Sequence, residues 1–343
     1  MQLARSSLRH HEPLPAIDAL LGQIIELVAL CDREESRAGV PVLYSTRLHR
    51  DFDTFVHAFD AVIRTLQPDE ADAVGAHVRE MLLPLVRRAV NGDRWSRKPR
   101  GYAGDFLTIA KIYDDIAEGA TIVDALVDRC LLNVPAARAV QNRRALLGDE
   151  IRAAIWRNGG GMTRVASLAC GPARELFDLA PTIETPFVAT LLDLDADALA
   201  YCAAQVWPLR FAEPTIKSGT AMFAIDLVEA NLMHIALGRR PLEIAEQDLV
   251  YSSGLIDYLS DALVVKLLDY IHTTLGPGGR VIIGNFHPRN PTKAFMDYVL
   301  DWKLIHRNED DMRRLFAASA FETCTRITYE AQQINLFAEG VKH

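Results

Sequence analysis

The segment Arg164-Val-Ala-Ser-Leu-Ala-Cys-Gly-Pro-Ala-Arg-Glu175 constrains the fold more than any other stretch of the chain. Its first residues are small or branched and apolar, which predicts a strand, and from Arg174 the pattern predicts a helix. Between them, Ala169–Ala173 contains only small or turn-forming residues. A strand, a tight turn and a helix start together predict a site where a nucleotide-like ligand approaches the backbone. An ordinary α/β turn without a ligand is the alternative.

A second predicted strand, Phe187–Asp193, ends in an acidic residue about twenty positions after the turn, where a ribose-binding carboxylate belongs. The same spacing occurs in dinucleotide enzymes. The turn favours a different ligand, because Gly171 is its only glycine and Ala169 and Ala173 leave little N–H room for a pyrophosphate. A phosphate-free ligand therefore fits better, and a nicotinamide dehydrogenase is a more distant alternative.

The chain predicts two domains, divided at the glycine-rich linker Asn158–Gly161. Residues 1–157 show helical periodicity and are expected to form a helical cap or lid domain. Residues 158–343 alternate strands and helices, which predicts an α/β fold with a mostly parallel, Rossmann-like sheet. Further strands are predicted at 215–222, Asp248–Ser252, Gly279–Gly284 and Lys303–His306, with a closing antiparallel hairpin of Phe321–Tyr329 and Ile334–Glu339.

The ligand of such a sheet lies across the carboxyl ends of its strands. This rule predicts a set of cofactor-binding residues at the ends of the strands, among which Asp226 would accept from an adenine amino group. The set is Ala169, Cys170, Gly171, Pro172, Asp193, Leu194, Asp226, Leu227, Ser252 and Ser253. Two runs of polar and aromatic residues follow later strands and predict His287 and Tyr258 as candidate bases. The candidate substrate-binding residues are Tyr113, Asn285, Arg289, Tyr298 and Trp302.

A loop at Lys98–Phe106 contains residues that do not build a core, which indicates a shaped, functional loop. A plain connection between helices is the alternative. The long helix predicted from Pro135 to about Trp156 carries several arginines, and these are interpreted as a solvated face with acidic neighbours, although one of them could meet an acidic ligand. The arginines concerned are Arg138, Arg143, Arg144 and Arg152.

Composition limits the class of protein. The chain has 343 residues, a net charge of −8 and a pI of about 5.7, which disfavours a general nucleic-acid binder. Five scattered cysteines lack metal-ligand spacing and predict reduced thiols in a cytoplasmic protein without a metal. The polar start predicts no signal peptide, and charges interrupt the apolar stretches, so no membrane span is expected.

The small-residue turn resembles the first motif of class I S-adenosylmethionine (SAM)-dependent methyltransferases. In this resemblance Ala169, Gly171 and Ala173 stand at the three glycine positions, and Ser167 stands where an acidic residue is usual. Together with the runs at 100–106, 254–261 and 284–291, the segment resembles a bacterial subgroup labelled 3-hydroxypalmitic acid methyl ester biosynthesis proteins, over roughly residues 95 to 340.

The resemblance implies a SAM-methyltransferase sheet with an antiparallel C-terminal hairpin, SAM as cofactor and S-adenosylhomocysteine as product. It implies methyl transfer to a small-molecule carboxylate, giving a methyl ester. The alternatives are an N- or O-methyltransferase of a small metabolite with His287 or Tyr258 as base, and a non-catalytic SAM-binding regulatory protein. A homodimer is left open.

Because Ser167 replaces the usual acid, the methionine end of SAM needs other partners. The loop at 100–106 provides Asp105 for the ammonium, and Arg100 with the Tyr102 hydroxyl for the carboxylate. Gly101 and Gly104 allow the backbone to bend over the ligand, so the loop is expected to act as a lid.

Overall fold

The structure, a computed structural model, describes residues 13–37, 39–211, 223–239 and 242–343. The chain divides into two compact units. The helical unit comprises the described residues up to Arg138 together with Arg289–Lys303, and the sheet unit comprises Ala139–Pro288 and Leu304–His343. The domain boundary after residue 157 stays a prediction. Most of the long helix that ends at Arg157 belongs to the sheet unit, since that unit begins at Ala139.

The helical unit is built from amphipathic helices, as the apolar spacing predicts. Phe52, Phe55 and Phe59 are buried on one face of its second helix, and the rings of Phe55 and Phe59 stack with centroids 5.6 Å apart. The elements are α1 (Pro13–Glu35), α2 (Val42–Ile63), α3 (Pro68–Val86), α4 (Val90–Arg97), α5 (Phe106–Asp114), α6 (Ile122–Asn133) and a π-helical turn at Phe295–Val299.

Among the described residues, one helical stretch, Leu14–Glu35, is long and apolar enough to cross a membrane by length and composition. Asp18 and Glu26 interrupt this stretch, and the expectation of no membrane span stays a prediction. The face of α1 that carries Ile17, Leu21 and Ile24 is fully buried. The core helix of a soluble protein and a signal sequence pass the same test, so the finding is weak support for a membrane span.

The sheet unit alternates strands and helices along the chain. Its elements are α7 (Pro135–Arg157, which begins in the helical unit), β1 (Thr163–Leu168), α8 (Arg174–Leu179), β2 (Phe187–Asp193), α9 (Ala196–Phe211), β3 (Phe223–Glu229), α10 (Leu232–Ala236), β4 (Gln247–Ser252), a 3₁₀ turn (Ile256–Tyr258), α11 (Asp261–Thr274), β5 (Leu275–Phe286), α12 (Glu309–Ala317), β6 (Arg326–Tyr329) and β7 (Asn335–Val341).

The sheet has the order β3-β2-β1-β4-β5-β7-β6. The first five strands of this order are parallel, and β7 runs antiparallel to both β5 and β6. The predicted Rossmann-like methyltransferase sheet with an antiparallel closing hairpin is thus confirmed, as is the helical N-terminal region. The strand order reverses between β1 and β4, and ligands of doubly wound sheets bind at the carboxyl ends beside such a reversal.

Alternating residues of each strand face two different cores. Val165, Leu249 and Tyr251 belong to a core formed with α7, α8 and α9. Ala166 and Val250 belong to the opposite core, formed with α11 and α12. Because successive side chains of a strand point to opposite faces, strands covered by helices on both faces are apolar almost throughout. This explains why the pattern of β1 and β4 is continuous rather than alternating.

Two strand predictions differ from the structure. Lys303–His306 forms no strand; instead Ile305 N donates to Asp257 O at 2.8 Å and Arg307 N donates to Phe286 O at 2.9 Å. The strand predicted at 215–222 lies outside the described residues. The third strand is β3, in which Asp226 pairs with Thr190 and Glu229 pairs with Asp193.

Gly284 in β5 tests the packing of the sheet. A Cβ there would lie 2.7 Å from Phe337 Cε1 and 3.0 Å from the Ser253 carbonyl oxygen. Gly284→Ala should therefore lower the free energy of unfolding by about 1–3 kcal/mol, the usual cost of overpacking. Thermal unfolding followed by circular dichroism measures the effect.

Gly148→Ala in α7 is the matched control, because its nearest neighbour would be the Glu175 carbonyl oxygen at 3.9 Å. It should raise stability by roughly 0.5–1 kcal/mol through helix propensity. A loss of stability at position 148, or none at position 284, would contradict the packing described for these two positions.

Candidate functional site

The small-residue turn, Ala169–Ala173, joins β1 to α8 in a strained backbone conformation. Ala169, Gly171 and Ala173 all have positive φ, at 51°, 54° and 45°. Left-handed backbone costs a residue with a Cβ roughly 1–2 kcal/mol, so the two alanines store strain that neighbouring contacts must offset. Cys170 N donates to Leu192 O at 3.0 Å, which anchors the turn to β2.

Asp193 binds the turn from the end of β2. Its Oδ2 accepts from Gly171 N at 2.9 Å, and its Oδ1 accepts from Asp195 N at 3.0 Å. Burial raises the pKa of Asp193, while these backbone donors act to lower it. Each carboxylate oxygen has two lone pairs, so a carboxylate that holds the turn can also accept hydroxyl groups. The spacing of about twenty residues between the turn and Asp193 thus places the carboxylate in a direct hydrogen bond with the turn.

A buried polar chain lies where β1 meets β4. The Tyr251 hydroxyl donates to Glu175 Oε1 at 2.7 Å, and the Ser167 hydroxyl hydrogen-bonds to Tyr251. Burial raises the pKa of both Glu175 and Tyr251. Ser167 thus has an internal partner at the position where the resemblance expects an acid. Glu175 had no predicted role, although it ends the segment 164–175 that predicts the turn.

Arg143 departs from the interpretation of α7 as a solvated arginine face. Arg144 pairs with Asp178, and Arg152 pairs with Asp149 at 2.6 Å, as expected for exposed arginines. Arg143 is instead buried, and its Nη1 donates to the Ser253 carbonyl oxygen at 3.2 Å. The interpretation is wrong for this residue because helical periodicity turns position 143 towards the sheet.

Arg307 and Asp257 hold the loop that follows β4. Arg307 is buried and donates to the carbonyl oxygens of Ile256 and Leu259, and to Asp261 Oδ1. Asp257 Oδ1 accepts from Phe286 N at 2.8 Å. Burial raises the pKa of Asp257 to about 7, while Phe286 N, Arg143 and Arg307 act to lower it.

Asn285, a candidate substrate residue, takes part in the same network. Its Nδ2 donates to the carbonyl oxygens of Phe286 and Ile305, and its Oδ1 accepts from Arg307 Nη1 at 3.0 Å. Both ends of the amide therefore have protein partners. Residues that fix the loops at the carboxyl edge of the sheet therefore occur in the run at 254–261 and at the start of the run at 284–291. The substrate role of Asn285 stays a prediction.

His287 follows β5 and forms a pair with a carboxylate. Its Nε2 lies 3.1 Å from Glu309 Oε2 at the start of α12, and the Tyr329 hydroxyl hydrogen-bonds to Glu309 Oε1. The Tyr329 hydroxyl is the largest of the causes that lower the pKa of Glu309 to about 2. Tyr258, the second candidate base, is 45% exposed. Glu309 and Tyr329 were missed because they come from elements distant in sequence.

The remaining cofactor candidates of the sheet unit differ in setting. Ser252 is buried and its Oγ donates to Leu168 O at 2.8 Å, which joins the ends of β4 and β1. Cys170 and Pro172 are buried, whereas Leu194 is 64% exposed. Asp226 and Leu227 lie inside β3 rather than after it. Because the strand extends to Glu229, their expected position at its end is wrong, and their role stays a prediction.

The helical unit contains the predicted lid residues. Asp105 is 1% exposed and caps α5, accepting from Leu107 N and from the Thr108 N and Oγ1, and it pairs with Arg94. Arg100 lies over the Phe106 ring at 5.1 Å, and Tyr102 is 45% exposed. Gly101 and Gly104 have positive φ, as the predicted bend requires. The ligand roles of Arg100, Tyr102, Gly104 and Asp105 stay predictions.

The other substrate candidates also belong to the helical unit. Tyr113 is buried on α5, and Trp302 is buried edge-to-face against Trp95, with centroids 6.4 Å apart. Tyr298 covers Gly75 so closely that a Cβ there would lie 2.1 Å from its ring. Arg289 is exposed. Tyr113 and Trp302 are thus buried in the core. The substrate roles of Tyr113, Arg289, Tyr298 and Trp302 stay predictions.

The raised pKa of Asp257 predicts a pH-dependent stability. Because its folded pKa of about 7 lies above the ordinary value of 3.8, the folded state binds the additional proton between these values. This contribution is present at low pH and is lost as pH rises through about 7. Asp257→Asn, which keeps an acceptor for Phe286 N, should flatten the profile.

The wild-type protein should lose up to about 2.7 kcal/mol more than the Asn variant between pH 5 and pH 8, since about two pH units separate pH 5 from the folded pKa, at about 1.36 kcal/mol per unit. Thermal midpoints at the two pH values measure this difference. Asp310→Asn is the matched control at an exposed position. Parallel pH profiles for the wild-type protein and Asp257→Asn would contradict the assignment.

Comparisons with known proteins show the fold. No family model and no curated protein matches the chain. A solved structure of a possible exported protein from Bordetella parapertussis is 16% identical, with a TM-score of 0.59 over 87% of this chain and 96% of that one.

Two weaker structural likenesses are with methyltransferases. Magnesium protoporphyrin IX methyltransferase from Synechocystis, solved with S-adenosylhomocysteine, is 12% identical with a TM-score of 0.46, over 78% of this chain and 99% of that one. The SAM-dependent methyltransferase SibL is 16% identical with a TM-score of 0.45, over 96% of both chains. Likeness at these identities concerns the fold alone.

Proposed function

We propose that the protein is a SAM-dependent methyltransferase that acts on a small molecule. The observation that carries the proposal is the contact between Asp193 and the small-residue turn, at the strand-order reversal beside β4. A carboxylate there suits the vicinal hydroxyls of a ribose. The turn has one glycine and two alanines, which suits a nucleoside without a pyrophosphate. A nicotinamide dehydrogenase is disfavoured for the same reason.

The residues fit the parts of the proposed cofactor. Asp193 would hold the ribose, the backbone of the small-residue turn would face the nucleoside, and Ser253 at the end of β4 would lie near the methionine portion. When bound, SAM supplies an electrophilic methyl group on a sulfonium. The protein's main contribution would be to align the acceptor with that methyl group and to exclude water.

The acceptor decides whether a base is needed. We favour a small carboxylic acid, giving a methyl ester, because the sequence motifs resemble proteins labelled for that product. A carboxylate is ionised at neutral pH and needs no base. An alcohol or ammonium acceptor would need one, and the His287–Glu309 pair supports this second candidate. The Glu309 carboxylate beside Nε2 favours the proton on that nitrogen, which makes Nδ1 the basic atom.

The setting of the reaction is part of the proposal. All five cysteines are free, which supports a reducing, cytoplasmic location. A homodimer stays a prediction. A SAM-binding regulatory protein without turnover is the remaining alternative, and the experiments below separate it from an enzyme.

Asp193→Ala tests the cofactor. Loss of a charged acceptor should weaken SAM binding by about 1.5–3 kcal/mol, roughly 10- to 150-fold in Kd. Isothermal titration calorimetry with SAM measures the change. Asp197→Ala, at an exposed position on the first turn of α9, is the control and should leave Kd unchanged. Unaltered affinity in a folded Asp193→Ala protein would refute the placement of the cofactor.

Turnover and acceptor class are tested with SAM that carries an isotopically labelled methyl group. The enzyme is incubated with a metabolite extract and the labelled products are identified by mass spectrometry. A methyl ester releases labelled methanol in mild base, whereas an N-methyl or ether product does not. Binding without any labelled product would support the regulatory alternative instead.

His287→Gln then separates the two acceptor classes. With a carboxylate acceptor, kcat should change by less than about tenfold, since no proton is removed. With an alcohol or ammonium acceptor, loss of the base should cost about 10²–10⁴-fold. A large loss with a proven methyl ester product would contradict the base-free mechanism.

A further inference from the structure

Arg143 is a buried cation at the reversal point of the sheet. Its side chain reaches from α7 to the end of β4, where Nη1 donates to Ser253 O at 3.2 Å. A Cβ on Gly254 would lie 3.4 Å from Nη1 and 3.7 Å from Nη2, so glycine leaves the guanidinium room. Arg143 is only 5% exposed, and a buried guanidinium requires compensating anions or acceptors.

The end of β4 at this point is joined to the small-residue turn. Ser252 Oγ donates to Leu168 O, the residue before Ala169, at 2.8 Å. Ser167 pairs with Tyr251 across the two strands. The guanidinium therefore contacts the residue that directly follows β4. β4 lies beside β1, the strand that leads into the turn. The guanidinium occupies the same edge of the sheet as Asp193.

Glu175 and Asp257 are among the groups that interact electrostatically with Arg143. Both are buried, Glu175 Oε1 accepts from Tyr251, and Asp257 Oδ1 accepts from Phe286 N. Burial raises the pKa of each, that of Asp257 to about 7. A guanidinium stays protonated in proteins, so Arg143 keeps its positive charge at this edge of the sheet, where the proposed cofactor would lie.

The cofactor proposed above contains one anionic group, the α-carboxylate of its methionine portion. We propose that Arg143 binds this carboxylate. The inference rests on the proposed function, and it is an alternative to the predicted binding of the carboxylate by Arg100 and Tyr102. A planar guanidinium matches a carboxylate with two parallel N–H···O bonds. Arg143 is then a cofactor-binding residue, and Ser253 positions it through its carbonyl oxygen.

The test compares SAM with decarboxylated SAM, which lacks only the α-carboxylate. The wild-type protein should bind SAM about 10- to 100-fold more tightly than the decarboxylated compound. Arg143→Met should bring this ratio close to one, mainly by weakening SAM. Arg143→Lys, which keeps the charge but not the fork, should give an intermediate ratio and serves as the deciding variant if the Met protein does not fold.

Arg144→Met is the matched control, since the neighbouring arginine pairs with Asp178 at the surface; it should keep the wild-type ratio. Equal weakening of both compounds by the Arg143 substitutions would overturn the inference and make Arg143 a structural residue. Wild-type protein that binds both compounds equally would also overturn it while leaving the methyltransferase proposal intact. Wild-type protein that binds neither compound would instead refute the proposed function, and the inference with it.

Discussion

The contact between the Asp193 carboxylate and Gly171 N is the interaction on which the candidate site depends. The turn that β1 enters has three residues with positive φ, two of which carry a Cβ. Such a turn persists only when surrounding contacts hold it. Asp193 provides one from β2, and the Cys170 N–H to Leu192 carbonyl bond provides another. Asp193, the proposed ribose-binding residue, is therefore also one of the residues that hold the turn in its conformation.

Buried polar groups organise the remainder of the carboxyl edge. Arg307 connects the loop after β4 to Asp261 and to Asn285 on β5, and Asp257 accepts from Phe286 N. A buried ionisable group without a partner would cost several kcal/mol. These hydrogen bonds therefore fix loop positions as well as satisfying charges. The polar and aromatic runs that suggested chemistry in the sequence contain a large share of such structural residues.

The sheet and its closing hairpin were predictable because they depend on local pattern. Continuous apolar runs predicted β1, β2, β4 and part of β5, and the turn after β1 was recognisable from its small residues. The prediction failed at Lys303–His306, where the pattern is β-like but Ile305 N and the following Arg307 N donate to the carbonyl oxygens of Asp257 and Phe286 rather than to a neighbouring strand of the sheet. It also misplaced Asp226, because the start of β3 is decided by pairing with β2 and not by composition.

By itself, the sequence determined the α/β class, a mostly parallel sheet with an antiparallel closing hairpin, and the pairing of a small-residue turn with Asp193. These follow from periodicity and spacing, which are local properties. Only the tertiary structure decided that Arg143 is buried while Arg144 and Arg152 pair at the surface, and that Glu309 and Tyr329 meet His287. Such partners come from elements far apart in the chain, and burial depends on which helix face the sheet covers, which no single segment specifies.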